Sequence, residues 1–85
     1  MAEVIVGFKV LPKDVEVDLD ILENKIRERI KPQKIDREPI AFGLVAIHIV
    51  KFVPEESGAL EKVEKQIRDI EEVGEVEVTG MTRSI

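Results

Sequence analysis

The stretch EPIAFGLVAIHIV, from Glu38 to Val50, is the most apolar part of a chain otherwise thick with charge. Its second half alternates: Val45, Ile47 and Ile49 share one side, and Leu44, Ala46, His48 and Val50 the other. Period-two alternation rich in β-branched residues predicts a strand. The residues just before it, QKIDREPIAF from Gln33 to Phe42, carry Ile35 and Ile40 as their main apolar positions and include Pro39. Proline cannot donate to a central ladder, so this piece reads as a short edge strand. Between the two sits Phe42 beside Gly43, and tight turns take glycine readily. Two strands therefore meet at an aromatic–glycine turn in the middle of the chain, and their flanks decide the fold.

Each flank supplies a helix and then a strand. Towards the N-terminus, LDILENKIRERI repeats Leu19, Leu22, Ile26 and Ile30 at helical spacing. Asp18 is its expected N-cap, basic residues fill its last turns, and Pro32 stops it. Before it, EVIVGFKV puts Val4, Val6, Phe8 and Val10 on one face and Ile5 and Lys9 on the other, with Leu11 and Pro12 ending the strand. Towards the C-terminus, ALEKVEKQIRDIEEV repeats Leu60, Val63, Ile67 and Ile70. Ser57 is its expected cap and Gly74 the expected signal for its end. EVEVTGM then closes the chain with Val76 and Val78 inward. The order is β-α-β-β-α-β. Its compact solution is an α+β, ferredoxin-like sandwich: a four-stranded antiparallel sheet with two helices on one face. The other face stays open, with Ile5, Ala46, His48 and Val50 expected on it.

Composition sets the outer limits. Eighty-five residues, 44% hydrophobic and 36% charged, make one expected domain over 1–85. The chain has no cysteine, which excludes a disulfide framework, thiolate metal sites and cysteine nucleophiles. A net charge of −5 repels phosphate backbones, so no direct nucleic-acid partner is expected. Modules of this fold that bind RNA also stack bases on paired central-strand aromatics, and no such pair is present. Acidity suits docking on a basic protein surface instead. No stretch approaches the roughly 20 apolar residues that span a bilayer, and MAEVIVGFKV has no basic leader, so the expected location is cytoplasmic.

Catalytic motifs are missing. The carboxylates follow helix faces and strand edges without a ligand spacing, so no metal and no cofactor are expected. His48 is the single histidine and shows no orienting partner in the sequence. The serines are Ser57 and Ser84, neither set beside a base, and no glycine-rich phosphate loop occurs. Phe42 remains. On the residues alone it either folds back onto the sheet or projects from the turn, and projecting aromatics are the usual anchors of binding surfaces.

EPIAFG resembles the Pro-hydrophobic-small-aromatic-Gly stretch of the elongation factor 1-beta nucleotide exchange domain family. VIVGFKVLP near the start, KIDREPIAFGLVA in the middle and IEEVGEVEVTG near the end extend the likeness over essentially all 85 residues. Its short, acidic archaeal members are the most similar. The resemblance implies promotion of GDP–GTP exchange on the elongation factor 1-alpha GTPase, by binding near its nucleotide and magnesium, without covalent chemistry. It implies that Phe42 inserts against the GTPase beside the nucleotide site, with Ala41 and Gly43 of the same turn also at the partner surface. It also implies that the C-terminal Arg83, Ser84 and Ile85 reach toward the magnesium. Eukaryotic members carry a lysine second from the end; here that position is Ser84, and Arg83 stands one place early. A one-residue shift on a strand turns a side chain to the opposite face. A monomer is the simplest expected state. Two other readings use the fold alone. A small-ligand regulatory module would want a glycine in its first strand–helix turn, and an acylphosphatase-like hydrolase would want a phosphate-cradling arginine loop. LPKDV offers neither.

Overall fold

A computed structural model describes residues 3–83. Four strands and two helices follow in order: β1 Glu3–Pro12, α1 Leu19–Ile30, β2 Lys34–Pro39, β3 Val45–Pro54, α2 Ala59–Arg68 and β4 Val73–Arg83, with a single 3-10 turn at Ala41–Gly43. The strands form one antiparallel sheet in the order β2-β3-β1-β4. This is the ferredoxin-like arrangement that the alternation predicts.

The alternation also decides the core. Val6, Phe8 and Val10 of β1 and Ile47 and Ile49 of β3 lie fully or almost fully buried in one cluster with Leu22, Ile26 and Ile30 of α1 and Ile67 of α2. Both helices therefore cover the same sheet face. Burying each such aliphatic side chain contributes about 1.5–3 kcal/mol relative to exposure. The opposite face is open, with Ile5, His48 and Val50 half-buried on it. Ala46 departs from the expectation and is fully buried there. Its methyl is short, and the long side chain of Glu38 stands directly across from it.

Helix ends are where local signals succeed and fail. Asp18 caps α1: its Oδ1 accepts hydrogen bonds from the N–H of Asp20 at 2.9 Å and of Ile21 at 3.3 Å. Ser57, by contrast, caps nothing. Gly58 takes the N-cap position of α2 with φ +84, and no side chain bonds the first turn. Nor does Gly74 end a helix. α2 stops at Arg68, a turn follows, and Gly74 lies inside β4. Its reason is space: a Cβ there would stand 2.8 Å from the Lys13 Cα. The Lys13 N–H donates to the Glu72 carbonyl at 2.9 Å in the same crossing.

Two ion-paired clamps hold α1, one to β2 and one to the turn before β4. The Arg37 guanidinium on β2 reaches Asp20 at 2.6 Å and also bonds Glu23, both on α1. Lys25 of α1 donates to both carboxylate oxygens of Glu72, at 2.8 and 2.9 Å. That bond holds the Glu72 carboxyl below its ordinary range.

Candidate functional site

β2 is short and ends at Pro39, so the chain must turn back within a few residues to enter β3. It does so through Ala41–Gly43. The Ile40 N–H donates to the Leu44 carbonyl at 2.9 Å, and the Leu44 N–H donates to the Ala41 carbonyl at 3.3 Å. Closing so tight a loop drives two successive residues into the left-handed region: Phe42 at φ +61, ψ +32, and Gly43 at φ +77. Glycine adopts this freely; an L-residue with a Cβ does so at about 1–2 kcal/mol.

The side chain's exposure decides between folding back onto the sheet and projecting. Phe42 projects, with 93% of its surface exposed. No core packing offsets its strain. A strained backbone under a fully exposed aromatic is an outlier of the kind that marks binding sites. Ala41 and Gly43 beside it are also exposed.

Val15 was invisible as a site residue in the sequence, where it falls in a charged connector. It is 60% exposed, and its Cγ1 would lie 3.8 Å from a Cβ built on Gly43. The loop that carries it is set by Asp14, whose Oδ1 accepts from the Glu16 N–H at 2.8 Å. The signal that could have found it is one apolar residue alone between Asp14 and Glu16.

The other expected contact lies at the far end of the sheet. Arg83 pairs with Val4 of β1, whereas the Phe42 turn lies beyond the Val10–Ile47 pair. From Val4 to Pro12 the strand runs roughly 26 Å at about 3.3 Å per residue. Phe42 and Arg83 therefore occupy opposite ends of a molecule 41 Å long. Arg83 forms an exposed ion pair with Glu55. Beside it, Val4, Val53, Leu60 and Met81 line an apolar groove of ≈ 350 Å³, and Met81 is 56% exposed. Ser84 and Ile85 lie outside the described residues.

The open sheet face holds one polar pair. His48 Nε2 lies 2.8 Å from Glu38 Oε1, so the histidine has the partner that the sequence hid. The Glu38 carboxyl is held below its ordinary range, chiefly by this hydrogen bond and then by the imidazole's charge. The pair is a cross-strand tie. Among the described residues no group of three or more His, Asp or Glu could hold a metal ion, and no helix is long and apolar enough to cross a membrane.

Comparison with known proteins identifies the family. Residues 5–83 match the family model described as the EF-1 guanine nucleotide exchange domain. The chain is 41% identical over 87 residues to a protein named elongation factor 1-beta from Methanothermobacter thermautotrophicus, covering 98% of each chain. It is 42% identical over 88 residues to one of the same name from Staphylothermus marinus, again covering 98% of each. To that of Thermoplasma volcanium it is 33% identical over 86 residues, covering 96% of this chain and 98% of the other. Matched by that family model over residues 5–83, and 33–42% identical to these relatives over nearly its whole length, the chain belongs to the EF-1 guanine nucleotide exchange domain family.

Proposed function

We infer that this protein promotes the exchange of GDP for GTP on elongation factor 1-alpha by docking on the GTPase, and that it makes and breaks no covalent bond. The observation that carries the reading is Phe42, strained and 93% exposed in the turn that most resembles the family. Exchange of this kind is a coupling between two ligands of one GTPase. Whatever free energy the exchange factor takes from nucleotide binding, the nucleotide takes equally from the exchange factor.

The separation of the two ends refines how docking works. Side chains roughly 26 Å apart along a strand do not meet at one nucleotide. The Phe42 turn, with Val15 beside it, grips one surface of the GTPase, and the Arg83 end engages another. Which of the two lies at the magnesium is read from competition. A cation placed there opposes the metal that holds the nucleotide phosphates, and Arg83 must first leave Glu55 to act so.

The test is release of fluorescent GDP from purified elongation factor 1-alpha on adding this protein. Acceleration that saturates at micromolar concentration is expected. An unchanged release rate across that range would sink the reading.

A further inference from the structure

Thirteen lysines and arginines stand in this acidic chain. Most lie within 4 Å of a carboxylate. Among the described residues five do not: Lys9, Arg29, Lys31, Lys51 and Lys62. Three of those five, Arg29, Lys51 and Lys62, line a single pocket of ≈ 290 Å³ between the end of α1 and the start of α2.

Lys51 is the informative member. In register it faces Val6 and stands on the helix-facing row of β3, between Ile49 and Val53. Those two neighbours are 1% and 2% exposed. Alternation calls for an aliphatic residue at that point, and a half-buried lysine occupies it. Its methylene stem covers the core while the ammonium emerges into the pocket. Arg29 has an ordinary reason to be where it is, since a cation in the last turn of α1 favours the helix dipole. Lys51 has none. Glu56 and the Gln66 amide also line the pocket, and Glu56 is its single carboxylate. The chain's overall −5 does not cancel this local excess, because charges beyond about 8 Å are largely screened at physiological salt.

We propose that this pocket is an anion site for a di- or triphosphate group, held by Arg29, Lys51 and Lys62. The floor, with Ile30 and Val63, is apolar and would strengthen the charge contacts above it. The volume falls just below the range of pockets that enclose drug-sized ligands, about 300–1,000 Å³. It suits a pair of phosphates rather than a whole nucleotide. The phosphates can come from free polyphosphate or from a guanine nucleotide in solution.

The test titrates the full chain with pyrophosphate and, separately, with GDP at constant ionic strength, following backbone amide shifts by NMR. Saturable shifts around Arg29, Lys51 and Lys62 are expected. Lys51→Met keeps the stem and should weaken pyrophosphate binding about tenfold, the loss of one charge-assisted hydrogen bond. Glu56→Gln should tighten it by about two- to threefold. Lys9→Met, on the open sheet face, is the control and should leave it unchanged. GDP binding as tight as pyrophosphate or tighter assigns the natural source to the nucleotide; weaker GDP binding assigns it to free polyphosphate. Absence of saturation, or an equal loss in Lys9→Met and Lys51→Met, overturns the site. The readout needs no GTPase, so it stands or falls apart from the exchange reading.

Discussion

The two ends of the sheet are held by different means. At one end the Ala41–Gly43 turn is closed by two backbone hydrogen bonds, and its strand is clamped to α1 through Arg37. Phe42 is thereby fixed in a conformation it would not choose. At the other end Arg83 closes an edge strand and is held by an exposed ion pair to Glu55, a contact worth about 0–1 kcal/mol. One end presents an aromatic on a closed, hydrogen-bonded turn and the other a cation in an exposed ion pair. A backbone already held in its docking conformation loses less freedom on binding, whereas an exposed charge contributes mainly to encounter and specificity.

The sharpest way to break this contrast is at Phe42. Phe42→Ala should reduce the acceleration of GDP release by about 30-fold or more, as expected for an anchor worth at least about 2 kcal/mol. Phe42→Gly should lose exchange equally, yet melt no lower than the wild type, because glycine takes positive φ without strain. A lower melting temperature in the glycine variant would mean that the phenylalanine supports the fold.

Gly74 tests how tightly the same end of the sheet is built. Its missing Cβ lets β4 pass close to the Lys13 backbone. Gly74→Ala should cost about 1–3 kcal/mol, the usual penalty for overpacking against atoms that cannot move aside. Urea denaturation measures it, and an unchanged midpoint would show that this end yields.

Smaller effects belong to the far end. Arg83→Ala should lower exchange by a few-fold, about what one exposed charge contributes. Glu55→Gln frees Arg83 and should raise exchange slightly. If Glu55→Gln lowers exchange as much as Arg83→Ala does, the ion pair positions Arg83 for its task instead of restraining it.

The smallest effect is on pH. Glu72 and Glu38 are both held below their ordinary range, by Lys25 and His48 respectively. A carboxylate with a depressed folded-state pKa stabilises the fold above its unfolded pKa. That contribution fades as the pH falls through the lower, folded value. Stability should therefore decline below about pH 4.5, and Glu72→Gln should flatten the decline. An equally steep decline in that variant would place the acid sensitivity elsewhere.

Much of this molecule was legible because the relevant forces are local. Alternation in β1 and β3, the Asp18 cap and the helix stripes each concern residues a few places apart, and each appears where its pattern puts it. Signals with two possible causes misled. Gly74 reads as a helix end, but what demands a glycine there is a backbone crossing from Lys13, distant in sequence. Ser57 suits a cap by composition, yet the turn puts Gly58 in that place. The projection of Phe42 was undecided because it depends on how tightly β2 must fold back on β3. The partners that tertiary pairing supplies, Glu38 to His48 and Glu55 to Arg83, have no sequence signature.

The antiparallel strands have a last consequence. They set the long dimension of the molecule at 41 Å, and hydrogen-bonded ladders resist stretching. The sheet therefore behaves as a gauge of fixed length, with the Phe42 turn at one tip and Arg83 at the other. Lengthening both central strands by two residues would move those tips apart by roughly 7 Å without changing either one. On the proposed function, such a lengthened variant should lose exchange activity although both tips are intact.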